Sequence, residues 1–183
     1  MQSIQTVSEN TIYVGASDRR LAKFENLFPI PRGVSYNAYV ILDEKTALLD
    51  TADASVGAQF LENVAAALDG RKLDYLIVDH MEPDHTAMIE AALVRWPDLR
   101  LVVNAKTLPM LKMYFPTDSA AIDDALVVKE GDTLDLGKHK LTFVMAPMVH
   151  WPEVMMTFDT TTGTLFSADA FGTFGALEGA LFA

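Results

Sequence analysis

The chain has 183 residues, 50% of them apolar, which is enough for one domain with a substantial core. Its 14 basic residues against 25 acidic ones give a formal net charge of −11. That balance argues against a general nucleic-acid binder and against an anionic membrane surface.

Cysteine is absent, so disulfides, thiolate ligands, iron–sulfur clusters and cysteine nucleophiles are excluded. Any metal must be held by His, Asp or Glu, a donor set suited to iron, manganese or zinc. The start, MQSIQTVSENTIYVG, has no basic residues and no apolar run of the signal-peptide kind, and no stretch is long and apolar enough to span a bilayer. A soluble cytoplasmic protein is expected, and a single domain over residues 1–183.

In chain order, Thr11 to Val14 and Tyr36 to Leu42 read as strands, as does Thr46 to Leu49, with Asp43-Glu44-Lys45 as the hairpin turn. Ala54 to Leu68 places Val56, Phe60, Leu61, Val64 and Leu68 at helical spacing, with Asp53 or Ser55 to cap it and Gly70 to end it. Leu73 to Val78 is a short apolar run of the buried-strand type, and it leads directly into Asp79-His80-Met81-Glu82-Pro83-Asp84-His85. A second helix is expected over Thr86 to Arg95, then a strand at Arg100 to Asn104. Lys106 to Tyr114 looks helical, with Pro109 confining the regular part to one side. Beyond this point strands dominate: Leu126 to Val128, Thr133 to Leu136, Lys140 to Met145, Met155 to Phe158 and Thr164 to Ser167. Turns at Gly131-Asp132, Gly137-Lys138 and Thr162-Gly163 separate them. Alternation of strand and helix followed by strands argues for sheets covered by helices. Phe171 to Ala183 is small and apolar and reads as ending in mid-pattern.

Two imidazoles and two carboxylates fall within His80 to His85, on a loop at the C-terminal end of a strand, where active sites of such units collect. Pro83 stiffens this loop and bars it from continuing as strand or helix. Packing so many ionisable groups beside a buried strand is costly unless something pairs them. His150 and Asp169 also follow strands. Taken alone, His150 reads equally as a turn cap and Asp169 as a turn or helix-start residue. His139, in the Gly137–Lys140 hairpin, reads as a solvated turn residue.

The set H-x-E-x-D-H, with His150 after 64 intervening residues and Asp169 after 18 more, resembles the diiron domain of flavodiiron proteins (A-type flavoproteins). Tyr36-Asn37-Ala38-Tyr39 leading to Leu49-Asp50-Thr51, His150-Trp151-Pro152-Glu153 and Ser167 to Gly172 extend the likeness over roughly residues 4 to 180.

The resemblance implies an α/β, four-layer αββα metallo-β-lactamase-like fold whose C-terminal part is incomplete here. It implies two iron ions: one on His80, Glu82 and His150, the other on Asp84 and His85, with Asp169 bridging. It further implies reduction of dioxygen to water or nitric oxide to nitrous oxide, with electrons from FMN. The FMN belongs to a flavodoxin domain and faces the diiron site of the other subunit in a head-to-tail homodimer. A redox partner such as rubredoxin or a flavin reductase would supply it, and Trp151 is a candidate for FMN proximity, with structural packing as its commoner role.

Zinc hydrolases of the same superfamily carry His where this chain has Glu82. An added anionic oxygen favours ferric iron, which tilts the reading from hydrolysis to redox chemistry. A zinc-dependent hydrolase and an inactive truncated metal-binding module are the alternatives. Two departures stand out: no His follows His150, whereas the family has a further His ligand on the second metal, and no flavodoxin domain is present. The chain is therefore expected to be a fragment that binds the second metal weakly and lacks gas reductase activity.

Overall fold

Apolar residues alternate between the two faces of the central strands, and this alternation sets the architecture. A computed structural model describes residues 3–179 and 181, leaving the end of the Phe171–Ala183 stretch outside the described residues. The chain begins with β1 (Gln5–Ser8) and β2 (Thr11–Tyr13). β3 (Ala16–Asp18), β4 (Lys23–Phe24), β5 (Phe28–Pro29) and β6 (Val34–Tyr36) follow, β3 pairing with β6 and β4 with β5. Then come β7 (Tyr39–Leu42), β8 (Thr46–Leu49), a 3-10 turn at Ala54–Val56, α1 (Gly57–Leu68) and β9 (Tyr75–Ile77). After α2 (Pro83–Thr86) and α3 (Ile89–Arg95) the chain forms β10 (Arg100–Asn104), α4 (Thr107–Tyr114), a 3-10 turn at Pro116–Asp118, α5 (Ser119–Asp123) and β11 (Leu126–Val128). β12 (Thr133–Asp135), β13 (Lys140–Met145), β14 (Met155–Asp159) and β15 (Thr164–Phe166) complete it.

The main sheet has seven strands in the order β1-β2-β7-β8-β9-β10-β11, antiparallel as far as β8 and parallel from there on. The second sheet is an antiparallel meander, β12-β13-β14-β15. Because side chains alternate along a strand, neighbouring residues serve two different cores. Val40, Leu48, Leu76, Leu101 and Val103 meet Phe60, Val64, Leu68, Ile89 and Leu111 of the helices. Ile41, Leu49, Ile77 and Val102 face the second sheet, where Leu134, Leu141, Phe143, Met155 and Phe166 close the gap. Strands buried on both faces explain the continuous apolar run around Leu76. Among the described residues no helix follows β11, and Val144 and Leu165 of the second sheet stand exposed. The described layers are thus helices, sheet and sheet.

The structure departs from several expectations. Tyr36 to Leu42 is two strands, because the chain changes sheets there: Tyr36 pairs with Ala16 in the small hairpin, whereas Tyr39 pairs with Tyr13 in the main sheet. The crossing is tight at Gly15, where a Cβ would run into the Tyr36 carbonyl oxygen. Pro83 does not bar a helix but opens one: it occupies the first turn of α2, where its missing N–H and fixed φ cost nothing. The expected Thr86–Arg95 helix is consequently two short ones, interrupted at Ala87 and Met88. Pro109 sits in the first turn of α4, whose N–H groups have no intrahelical partner, so the helix is uninterrupted. Asp53 caps the 3-10 turn through Ser55 N–H, and α1 ends at Asp69 in the left-handed region, just before Gly70. His139 is buried at 1% exposure, its Nδ1–H donating to Asp159 Oδ2 at 2.8 Å, because the hairpin folds down over the end of β14. Strands β1, β3, β4 and β5 and helix α5 gave no periodic signal; each has five residues or fewer.

Candidate metal centre

The parallel strands β8 and β9 end at one edge of the main sheet, and each releases its next residues into the same space. After β8 the backbone enters the left-handed region at Asp50 (φ 56°) and its carboxylate turns inward. After β9 the chain runs through Asp79 and His80 into α2. Opposite them the second sheet contributes the β13–β14 loop, carrying His150 and Glu153, and the turn after β15, carrying Asp169. Ala168, directly before Asp169, is itself in the left-handed region (φ 47°).

Two groups of side chains converge. His80, Glu82, His150 and Asp169 offer ligand atoms all within 4.8 Å of one another, as do Asp84, His85 and Asp169. Glu82 Oε2 lies 3.0 Å from His80 Nε2 and 3.0 Å from His150 Nε2. Asp169 spans both groups: Oδ2 is 3.1 Å from His150 Nε2 and 3.5 Å from His80 Nε2, and Oδ1 is 2.8 Å from His85 Nε2. Asp84 Oδ2 stands 3.8 Å from His85 Nε2. His80 is fully buried and His85 nearly so, whereas the His150 side chain is 53% exposed. Trp151 stands edge-on to the His80 ring, centroids 5.3 Å apart. The structure thus brings together all six side chains singled out from the sequence, with Trp151 beside them.

Three buried residues behind them carried too weak a sequence signal to be picked out. Asp50 Oδ2 accepts from His85 Nδ1–H at 2.9 Å, and its Oδ1 accepts from the Asp79 N–H at 2.8 Å. Asp79 Oδ1 accepts from Thr157 Oγ1 at 2.8 Å, joining the two sheets. Glu153 Oε1 lies 2.8 Å from His80 Nδ1. An acid closing a strand (TALLD) or following a candidate histidine (HWPE) was the available hint, and such acids are commonly turn residues.

Electrostatically the cluster is crowded with carboxylates, and among the described residues no Lys or Arg pairs with any of them. Burial, reinforced by Asp169 and Glu82, pushes Asp84 up to about 7 against the pull of His85. Burial and the adjacent Asp50 raise Asp79 well above the carboxylate range. For His80 burial works to lower the pKa, but Glu153 and Glu82 outweigh it and hold the imidazole at about 9. His85 likewise resists desolvation through Asp50 and Asp169 and lies well above an ordinary histidine.

These features fit a pair of cations. Asp84 Oδ1 is buried without a hydrogen-bond partner, an arrangement that costs free energy unless something positive meets it. All donors are oxygen or imidazole nitrogen, the set preferred by iron, manganese and zinc. A cavity of about 440 Å³ beside Asp84, His85 and Asp169, walled also by Tyr36, Tyr39 and Phe171, leaves room next to the second group.

A family model described as "ODP family beta lactamase" matches residues 34–182. Curated relatives include a putative diflavin flavoprotein A 1 of Thermosynechococcus vestitus, 38% identical over 91% of this chain and 28% of its own length. The anaerobic nitric oxide reductase flavorubredoxin of Klebsiella pneumoniae is 36% identical over 91% of this chain and 34% of its own. Among solved structures, the rubredoxin:oxygen oxidoreductase of Desulfovibrio gigas superposes with a TM-score of 0.89 at 31% identity, covering 96% of this chain and 43% of that one. The flavodiiron protein of Giardia intestinalis gives 0.89 at 27% identity, over 97% and 42%. The chain therefore spans about a third of the length of these curated relatives.

Proposed function

The chain belongs to the ODP family of β-lactamase-like domains, the diiron domain of flavodiiron proteins, and from that premise we propose that it holds two iron ions for the reduction of dioxygen or nitric oxide. The observation that supports this most directly is the place of Asp169, one carboxylate facing both His80–His150 and His85. In this reading His80, Glu82 and His150 hold one ion, Asp84 and His85 the other, and Asp169 bridges them. Residues 1–183 act as the diiron domain. When bound, the iron pair supplies the redox chemistry that turns dioxygen into water or nitric oxide into nitrous oxide.

The chain's own residues prepare that site. Glu82 places an anionic oxygen between two imidazoles, a donor that favours iron over zinc and so redox over hydrolysis. Asp50 and Glu153 take the Nδ1 protons of His85 and His80, leaving each Nε2 for a metal. Trp151 shields the His80 ring from water, and in this reading FMN approaches on its side. Electrons come from FMN held outside residues 1–183, refilled by a donor such as a rubredoxin or a flavin reductase, in a homodimeric assembly. No helix among the described residues is long and apolar enough to cross a membrane, and a cytoplasmic site is part of the proposal.

The test is metal content of the protein loaded anaerobically, by elemental analysis and Mössbauer spectroscopy. Two ferrous ions per chain, giving an antiferromagnetically coupled ferric pair after oxidation, are expected. Exclusive retention of zinc would favour a hydrolase instead. With FMN held outside residues 1–183 in this reading, oxygen uptake by these residues without an added flavoprotein should be negligible.

A further inference from the structure

We infer that Glu153 is a positioning residue that fixes the His80 imidazole and the His150 loop with one buried carboxylate, an inference that rests on the diiron reading. Glu153 is 1% exposed, three residues beyond His150 in the same loop. Its Oε1 accepts two hydrogen bonds: from His80 Nδ1–H at 2.8 Å and from the Met81 N–H at 3.0 Å. The first fixes the tautomer and turns the Nε2 lone pair toward Glu82 and Asp169. The second ties the same oxygen to the backbone of the ligand segment, so ring and carboxylate cannot rotate independently.

The other end of the residue is anchored as firmly. The Glu153 carbonyl accepts from Asn104 Nδ2 at 2.6 Å. Asn104 Oδ1 in turn accepts from the N–H groups of Lys106 (2.8 Å) and Thr107 (3.1 Å) at the start of α4. Lys106 Nζ donates to the Pro152 carbonyl at 3.0 Å. The His150 Nε2 meets Glu82 and Asp169 and its ring lies against that of His80, centroids 5.1 Å apart; its loop is closed by the Ala146 N–H donating to the Val154 carbonyl and is tied to the main sheet through Glu153.

Glu153 Oε2 is buried and has no partner. An apolar side chain would avoid that desolvation, so a negative charge held there is compensated by what it does to His80. Carboxylates that orient a metal-bound histidine are typically worth about 10–100-fold in metal affinity.

The test compares the unaltered chain with Glu153→Gln, which keeps shape and removes charge, in anaerobic ferrous titrations read by chelator competition and iron per chain. Circular dichroism checks the fold. One of the two binding phases should weaken about 10–100-fold in the variant while the other barely moves. A second measurement needs no variant: in the zinc-loaded unaltered chain, ¹⁵N-edited NMR should show a downfield, slowly exchanging proton on His80 Nδ1. Equal weakening of both phases, unchanged binding, or a His80 ring without that proton would overturn the inference alone. Failure of the unaltered chain to bind any metal would overturn the diiron reading and this inference with it.

Discussion

Asp50 and His85 stand 35 residues apart in the chain and 2.9 Å apart in the interior, Oδ2 to Nδ1. The contact exists because β8 and β9 are parallel neighbours, so the first residue past one strand faces the turn past the other. Asp50 also receives the Asp79 N–H, and the two hydrogen bonds lock β8, β9 and α2 at the metal edge. Replacing it by Ala strands two buried donors, at about 1–3 kcal/mol each. We expect Asp50→Ala to lower the unfolding free energy of the metal-free chain by about 2–6 kcal/mol, measured by urea titration. A loss under about 0.5 kcal/mol, the size of an ordinary surface change, would mean that this pair does not brace the site.

His150 and Asp169 differ in a way that metal binding should expose. The His150 side chain is 53% exposed, so His150→Ala should change metal-free stability by no more than about 0.5 kcal/mol. It should nevertheless weaken one metal position. Asp169→Ala removes the carboxylate shared by both groups and should weaken both. Ion retention after a chelator challenge separates the two, and an Asp169→Ala chain that keeps one tight ion would argue against bridging.

Metal removal should also cost stability. A ligand that binds only the folded state adds RT ln(1 + [L]/Kd), about 2.7 kcal/mol at a hundredfold excess over Kd. Here the effect is reinforced because the ion relieves repulsion among Glu82, Asp84 and Asp169. Differential scanning calorimetry should show a Tm that rises with free ferrous iron and falls back on chelation. A Tm indifferent to metal would count against any ion at this cluster.

Much of this was readable in the sequence, and the remainder for definite reasons. Strands such as β10 and β13 and helix α1 declare themselves through length and periodicity, and the ligand-type residues declare themselves by density between His80 and His85. Pairing is a different matter. Nothing local says that Tyr36 and Tyr39 join different sheets, since that is decided by partners Ala16 and Tyr13. Pro83 is ambiguous in the sequence because the same ring that breaks a helix interior suits its first turn. His139 looked solvated because its burial depends on Asp159, which is distant in sequence. Asp50 and Glu153 were hidden for the same reason: an isolated acid acquires meaning only when an imidazole is found at the end of it.

Gly15 tests the sheet change independently of the metal. A Cβ there would collide with the Tyr36 carbonyl and lie 2.8 Å from the Tyr13 ring. Backbone cannot yield cheaply, so Gly15→Ala should cost about 1–3 kcal/mol, the usual range for overpacking. Asn63 Nδ2, which donates to the Val14 and Gly15 carbonyls, should be displaced with it. Denaturant unfolding measures the loss. A neutral result would show that the crossing between the small hairpin and the main sheet is looser than described.

Acid stability offers the last prediction, and Asp18 isolates it away from the metal edge. The Asp18 carboxylate is buried, and Arg20 grips it through both the backbone N–H at 2.6 Å and the guanidinium at 2.7 Å. The Arg20 side chain, followed by opposing burial, sets the balance, and the carboxyl is held down at about 2. An unfolded Asp titrates near 3.9, so the folded state binds this proton less readily than the unfolded one. The stabilisation is therefore complete above about pH 4 and is lost as the pH falls through the folded value near 2. Arg20 is largely exposed, so solvent screening limits the contribution to about 1 kcal/mol at neutral pH. Asp18→Asn should remove that amount at pH 7 and progressively less as the pH falls through 2, so the two stability curves converge on acidification. Measured on the metal-free chain, parallel curves across this window would show that Asp18 keeps an ordinary pKa and that Arg20 does not hold the β3–β6 hairpin in place.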